Sequence, residues 1–264
     1  MKDEAGWLAA RLVDSFAYLY AALDGARVEE RSASRLFVYP AVPIPLFNAL
    51  VAIEERPDAA AAALAPAMAE VEKLGLPFGV LMRANAAPAL AAQARRLGLS
   101  SVEEIPAMVV SASELRDRGT AGLKIVRVRE RVDLDRALAV MAAGFGAPAA
   151  LFQPLYRPAI IELPGMSAYL ALVDGEPVST AVSSLREGGV GIFNVATPAH
   201  LRGRGYGAAV TARAAEDGFA AHAGLAWLQA SPLGEPVYRR MGFRQVDTHL
   251  LMTRPPSGEP ARTP

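Results

Sequence analysis

Residues 194–218 have the sequence NVATPAHLRGRGYGAAVTARAAEDG. It passes from residues typical of a β-strand, through a turn rich in glycine and arginine, into an alanine-rich helix. The first N–H groups of a helix have no partner inside the helix, and the aligned peptide dipoles place about half a positive charge there. Glycine lets the backbone approach a bulky anion because it has no Cβ. The stretch therefore predicts an anion site at the start of the helix.

Two common phosphate-binding motifs do not fit these residues. A dinucleotide fingerprint needs G-x-G-x-x-G after the first strand of a βαβ unit, whereas the spacing here is R-x-x-G-x-G and follows several strands. A P-loop is excluded because no Gly-Lys-Ser or Gly-Lys-Thr follows. The alternative without a ligand is an ordinary glycine-rich turn whose arginines are solvated.

The surrounding sequence predicts a mixed sheet with helices on its faces, an α/β fold with the order β-α-(α)-β-β-β-α-β-α-β. Asp174-Gly175 lies between two apolar runs and predicts a hairpin. Asp133 is expected to cap a helix over 132–146 that ends at glycine, and Pro236 suits the first turn of a short helix. Further strands are expected over 123–130, 190–196, 225–230 and 244–253, with a helix from the glycine turn to about Ala221.

Two landmarks of the second half resemble the GNAT acyltransferase superfamily. Arg202, Gly205 and Gly207 match its R-x-x-G-x-G acetyl-CoA signature, and PVYRRMGF (236–243) is similar to its Tyr-containing short helix before the final strand. The match covers roughly residues 123–254, including the order of elements. The resemblance implies an acetyl-CoA-dependent N-acetyltransferase that acts on the primary amine of a small molecule.

The resemblance also implies roles for particular residues. In that family the strand before the glycine turn separates from its neighbour and binds the pantetheine arm, and a tyrosine protonates the leaving thiolate. Tyr238 is then the proton donor, with side-chain packing as its alternative role, and Ser231 contacts the cofactor arm or is a simple loop serine. Glu162, Glu235, a histidine or a water chain could be the general base. The pantetheine residues are Val195, Ala196 and Thr197, and the pyrophosphate residues are Arg202, Gly203, Arg204, Gly205, Tyr206, Gly207 and Ala208.

The first half contains short segments that resemble segments of the second half, at an offset close to 144 residues. RRLGL (95–99) resembles RRMGF (239–243), and FNALV (47–51) resembles FNVAT (193–197). These matches predict an internal duplication, with two GNAT-like acyl-CoA N-acyltransferase folds in tandem. At this offset the signature residues fall on Asp58, Ala61 and Ala63, and Tyr238 falls on Ala94. An acid at a helix start repels a pyrophosphate, so the first copy is expected to have lost the site.

The expected domains follow from this offset and from the polar stretch SASELRDRGTAG (111–122). Residues 1–118 are predicted to form a degenerate GNAT-like domain, and 119–254 a GNAT N-acetyltransferase domain. Residues 255–264 are predicted to be a disordered tail. The apolar region 145–166 is expected to line the acceptor cleft.

Composition limits the partners. Lysine plus arginine and aspartate plus glutamate number 27 each, which favours neither nucleic acid nor a membrane. There is no cysteine, and the spacing of His200, His222 and His249 gives no metal-ligand pattern. A cytoplasmic monomer or homodimer without a metal is expected. Two alternatives stay open: a non-catalytic acyl-CoA-binding module, and a paired-domain transferase of the mycothiol-synthase kind.

Overall fold

The computed structural model describes residues 3–53, 57–84, 88–117 and 119–255. The C-terminal tail was predicted to be disordered, and its residues from 256 onward lie outside the described part of the chain. In the first half the elements are α1 (Glu4–Ala21), β1 (Arg27–Arg31), β2 (Ser34–Val38), a 3-10 turn (Pro45–Phe47), β3 (Asn48–Ala52), α2 (Pro57–Glu72), β4 (Gly79–Arg83), α3 (Pro88–Arg96) and β5 (Ser101–Val110).

The second half contains the predicted succession of strands and helices. Its elements are β6 (Leu123–Arg127), α4 (Arg131–Phe145), α5 (Ala149–Phe152), a 3-10 turn (Gln153–Leu155), α6 (Pro158–Ile161), β7 (Met166–Val173), β8 (Glu176–Arg186), β9 (Gly189–Ala196), a 3-10 turn (Ala199–Leu201), α7 (Tyr206–Ala220), β10 (Leu225–Gln229), α8 (Glu235–Arg240) and β11 (Arg244–Thr253). The mixed α/β fold predicted from the sequence is confirmed.

Two local predictions had different outcomes. The Asp174-Gly175 hairpin is present, and both residues have the positive φ, 51° and 83°, that a tight turn between twisted strands requires. The prediction that Asp133 caps α4 was wrong. The N-cap is Glu130, which makes no side-chain cap, while Asp133 lies in the first turn and pairs with Arg136 at 3.2 Å.

The chain divides into two compact units, residues 1–107 with 246–264, and residues 108–245. The last strand, β11, therefore passes from the second unit into the first, and β5 passes from the first into the second. Helices and strands occur in the same order from α1 to β5 as from α4 to β11, if the short helices after α4 are left out. The assignment of 1–118 and 119–254 as tandem GNAT-like domains stays a prediction.

The first unit is a sheet covered on both faces. Its strand order is β1-β2-β3-β4-β11, with β3 parallel to β4 and the other pairs antiparallel. Alternate residues of β2 face opposite sides, as a pleated strand requires. Leu36 and Val38 join the core beneath α2 and α3, while the ring of Phe37 contacts Phe16 and Tyr20 of α1.

The second unit has the strand order β10-β9-β8-β7-β6, with the end of β5 beside β10. The strands from β6 to β9 are antiparallel, and β10 is parallel to β9. Helix α7 shares a core with Tyr169 and Ala171 of β7 and with Ile192 of β9. Helix α4 packs against the same strands outside that core, on the opposite face. These two helices hold β9 between them.

In the described part of the chain, no single helix is long and apolar enough to cross a membrane; the pair Arg131–Phe145 and Ala149–Leu155 meets the length and composition criteria only together, and it is bent by 114°.

His249 gives the first unit a buried titratable group. It lies in β11 opposite Arg83 of β4, and its side chain is fully buried. Burial lowers the pKa of His249 to about 4; the charge of Asp247 opposes this, and that of Arg83 adds to it. Asp247 and Arg83 themselves form an ion pair at 2.5 Å. His249 is therefore neutral at pH 7.

This burial predicts an acid-dependent loss of stability. An unfolded histidine has a pKa near 6.5, so below that pH the unfolded chain binds a proton at this residue while folded His249 stays neutral. The free energy of unfolding should fall as the pH drops from about 6.5 toward 4, by up to about 3 kcal/mol from this group. Urea titrations at several pH values should show a shallower fall for His249→Gln. The exposed control His222→Gln should keep the wild-type slope, and equal slopes in all three proteins would contradict the assignment.

Candidate functional site

The two central strands of the second unit separate part way along their length. β10 pairs with β9 at three positions only, from Leu225 with Gly189 to Trp227 with Gly191. β9 continues to Ala196, and on its other side it stays paired with β8 up to Thr180. The backbone of residues 192–196 therefore has a strand partner on one edge alone, and an extended ligand could bind along the other.

A bulge and an aromatic pair accompany the separation. Thr180 of β8 pairs with Ala196 of β9, and Val182 pairs with Phe193. Two residues of β9 therefore lie opposite one residue of β8, which is a β-bulge. Asn194 lies in this bulge with a φ of 51°. At the last paired position Gly191 leaves room for Trp227, since a Cβ there would lie 2.5 Å from the indole ring. The indole packs edge-on against Phe193 at 5.2 Å.

The proposed pantetheine residues Val195, Ala196 and Thr197 form the end of this strand. The Ser179 hydroxyl donates to the carbonyl of Ala196 at 2.9 Å and lies 3.0 Å from the hydroxyl of Thr197. From the other side Gly144 of α4 approaches so closely that a Cβ on it would lie 2.8 Å from the Cβ of Ala196. The strand end is thus held between β8 and α4.

The glycine turn continues directly from that strand end. Gly203 and Gly205 have φ of 79° and 84°, a conformation that other residues rarely adopt. Gly205 is the N-cap of α7 and offers no side chain to cap it, and the first helical hydrogen bond runs from the Ala209 N–H to the Gly205 carbonyl. The N–H groups of Tyr206, Gly207 and Ala208 therefore point out of the helix start, as an anion site requires.

The two arginines of the turn have different surroundings. Arg202 donates to the carbonyls of Thr197 at 3.1 Å and of Gly144 at 2.7 Å, so its guanidinium ties the turn to the end of α4. Both arginines were predicted to bind the pyrophosphate, and both are exposed at the turn. Arg202 in addition holds the backbone of the turn through these two carbonyls.

Tyr238 connects the short helix α8 to the start of α7. It is buried and packs against Phe243 with ring centroids 5.7 Å apart. Burial raises the pKa of Tyr238 to about 12, and the nearby hydroxyl of Thr211 opposes the rise. The Thr211 hydroxyl donates to the carbonyl of Gly207 at 2.8 Å. The phenol is thus protonated at neutral pH and lies beside a side chain that contacts the glycine turn.

The other predicted residues lie in less specialised surroundings. The hydroxyl of Ser231 accepts from the N–H of Gly234 at 3.2 Å, which fits a serine that starts the turn before α8. Of the possible general bases, Glu235 pairs with Arg239 at 2.7 Å, while Glu162 and His200 are exposed. Among the described residues no three His, Cys, Asp or Glu side chains gather in a metal-binding group.

A buried phenol lies beside the bulge on the α4 side. The hydroxyl of Tyr156 makes no hydrogen bond of ordinary geometry within the described chain, yet Asn194 and Thr180 lie close to it. Burial raises the pKa of Tyr156, and these two polar neighbours oppose the rise. The sequence placed Tyr156 in the acceptor region 145–166 but gave no signal for its approach to Asn194. Gly144 was likewise missed, because a helical glycine reveals no partner.

Solved structures share this fold at low sequence identity. A GCN5-related N-acetyltransferase from Kribbella flavida is 21% identical, with a TM-score of 0.75 over 97% of this chain and 98% of that chain. A functionally unknown conserved protein from Staphylococcus epidermidis is 16% identical, with a TM-score of 0.66 over 88% and 94% of the two chains. A GCN5-related N-acetyltransferase from Sphaerobacter thermophilus is 15% identical, with a TM-score of 0.59 over 88% and 80%.

No protein-family model and no curated protein matches the sequence. The solved structures show that the chain has the fold of the GCN5-related N-acetyltransferases, and at this level the resemblance predicted from Arg202, Gly205, Gly207 and PVYRRMGF is confirmed.

The close approach of α4 to the strand end can be tested by adding one side chain. Gly144→Val should lower the free energy of unfolding by about 1–3 kcal/mol, because the new side chain would overlap Ala196. Ala143→Val is the control, since Ala143 is the exposed neighbour on the same helix. Helix propensity alone would make the Ala143 change the more costly one. Urea denaturation that gives this reverse order would contradict the packing.

Proposed function

We propose that the chain is an acetyl-CoA-dependent N-acetyltransferase whose active site lies in its second unit. The observation that carries the proposal is the separation of β9 from β10, which leads into the uncapped glycine start of α7. An unpaired strand edge followed by a cluster of free N–H groups suits a ligand with an amide-bearing arm and a pyrophosphate. The shared fold with GCN5-related N-acetyltransferases supports the same ligand.

In this proposal the cofactor follows the path of the chain. The backbone of Val195, Ala196 and Thr197 pairs with the pantetheine arm, and the thioester lies near the bulge. The N–H groups of Tyr206, Gly207 and Ala208 hold the pyrophosphate. Arg204 is positioned to add charge, while Arg202 keeps the turn in place through the carbonyls of Thr197 and Gly144.

The reaction needs few groups from the protein. A neutral amine held beside the thioester attacks the carbonyl carbon, and most of the rate enhancement comes from proximity. A backbone N–H at the strand end can stabilise the oxyanion. The C–S bond then breaks, the sulfur leaves as a thiolate, and the amine loses a proton to a base that we leave unassigned. The acceptor is proposed to be a small-molecule primary amine.

Tyr238 is proposed to assist departure of the thiolate. A thiol has a pKa near 8.5, so complete proton transfer from a phenol with a pKa near 12 is uphill. The hydroxyl can still donate a hydrogen bond to the developing negative charge on sulfur. A hydrogen bond to a charged group is worth about 1.5–3 kcal/mol, which corresponds to a rate effect of about 10- to 100-fold.

Calorimetry with acetyl-CoA, followed by a thiol-release assay over a library of amines, tests the proposed function. Binding together with amine-dependent release of coenzyme A is expected. Binding without release over the whole library would favour a non-catalytic acyl-CoA-binding module. Absence of binding would refute the proposed cofactor.

Gly207→Val should abolish binding of acetyl-CoA while α7 stays folded. A Cβ at this position would lie 3.3 Å from the Thr197 hydroxyl and 3.8 Å from Val195, so a branched side chain would fill the space in front of the N–H groups. Ala220→Val, an exposed position at the other end of the same helix, is the matched control. Calorimetry should find wild-type affinity for the control only, and retained affinity in Gly207→Val would contradict the pyrophosphate assignment.

Tyr238→Phe should lower kcat by about 10- to 100-fold and leave the affinity for acetyl-CoA nearly unchanged, because only the charge that develops on sulfur loses a partner. Tyr169→Phe is the control. Its hydroxyl bonds to Asp217 at 3.1 Å, in the later half of α7. Steady-state kinetics that show wild-type kcat for Tyr238→Phe would return Tyr238 to a packing role.

A further inference from the structure

The polar stretch 111–122, which the sequence marks as a boundary, belongs to the second unit, and several of its described residues lie against α8 and α7 of that unit. The N–H of Arg116 donates to the carbonyl of Met241 at 2.8 Å. Gly242 has a φ of 96°, and a Cβ on it would collide with the carbonyl oxygen of Glu114. The stretch is therefore held at the end of α8, the helix that carries Tyr238.

Two later residues of the stretch, Asp117 and Thr120, lie near α7. The charge of Asp117, after burial, contributes to raising the pKa of Glu216 in the third turn of α7. Three residues later, the hydroxyl of Thr120 lies 3.2 Å from the position that a Cβ of Gly205 would occupy. Leu123, where β6 begins, packs against the same core as Tyr206. Thr120 thus lies beside the glycine start of α7.

The Thr120 hydroxyl lies near the place that a capping side chain on Gly205 would occupy, yet it does not cap the helix. An N-cap threonine normally accepts a hydrogen bond from one of the first helical N–H groups. Gly205 has no side chain, and α7 has no side-chain cap. Within the described chain the hydroxyl of Thr120 makes no hydrogen bond, and the residue is half-buried. A hydroxyl in this position can donate to an anion held by the N–H groups of Tyr206 and Gly207.

We infer that the hydroxyl of Thr120 donates a hydrogen bond to the pyrophosphate of coenzyme A, so that the stretch joining the two halves forms part of the cofactor site. The inference rests on the proposed function, because that proposal supplies the anion. A charge-assisted hydrogen bond of this kind is stronger than a neutral one. Its loss should weaken binding by about 10-fold.

Two substitutions of nearly equal size test the inference in the full-length protein. Thr120→Val removes the hydroxyl and keeps the shape, and Thr120→Ser keeps the hydroxyl. Calorimetry with coenzyme A should give a Kd about 10-fold higher for the valine variant and a Kd within about 2-fold of wild type for the serine variant. The urea midpoint of both variants should match wild type, since the hydroxyl has no described partner to lose.

Dephospho-coenzyme A identifies the phosphate that Thr120 contacts, because it keeps the pyrophosphate and lacks the 3′-phosphate. The same 10-fold loss with this ligand is expected. A loss that disappears with dephospho-coenzyme A would overturn the pyrophosphate assignment, and equal Kd values for the valine variant and wild type would overturn the role of Thr120. Neither result would affect the proposed function. Failure of the wild-type protein to bind coenzyme A would instead refute the proposed function and, with it, this inference.

Discussion

The site depends on one feature, the departure of β9 from β10 after Gly191. Up to that position the two strands share a parallel ladder, and beyond it the backbone of β9 keeps hydrogen bonds to β8 alone. A backbone edge that is unpaired inside a folded unit needs support to keep its shape. Trp227 fills the space above Gly191, Ser179 bonds to the carbonyl of Ala196, and Arg202 bonds to that of Thr197. These contacts keep the strand end open toward a ligand.

The second requirement is that the strand end and the helix start be held in one piece. Arg202 connects the carbonyl of Gly144 in α4 to that of Thr197, and Gly144 itself contacts Ala196. On the other face the Thr211 hydroxyl of α7 bonds to the carbonyl of Gly207, and Tyr238 of α8 lies beside Thr211. The strand end and the helix start are therefore held together by the side chains of Arg202 and Thr211 and by the backbone of α4, which favours a preorganised cofactor site.

The sequence predicted the local features well because their signals are local. The glycine turn, the Asp174-Gly175 hairpin and the order of elements each follow from residues close together in the chain. Asp133 failed as a cap because the helix begins two residues before it, at Arg131, and boundaries are the weakest part of such predictions. The cofactor position at this turn stays a prediction, and the roles of Tyr238 and Ser231 came from the resemblance alone.

Features that depend on distant parts of the chain could not be predicted. The hydrogen bond from Arg202 to the carbonyl of Gly144 joins residues 58 positions apart, and the sequence around either residue does not indicate it. The bulge at Asn194 adds one residue to a strand whose apolar pattern stays intact. The stretch 111–122 has the composition of a solvated linker, yet its backbone packs against the end of α8 and the hydroxyl of Thr120 lies at the start of α7. Composition does not report either contact.

Hydrogen exchange with and without acetyl-CoA reports on the backbone N–H groups that form the proposed site. Addition of acetyl-CoA should slow exchange at residues 192–197 and 203–208. Exchange should not change in the corresponding strand of the first unit, Asn48–Ala52. Unchanged exchange at the end of β9 and at the glycine turn, or protection confined to the first unit, would contradict the proposed site.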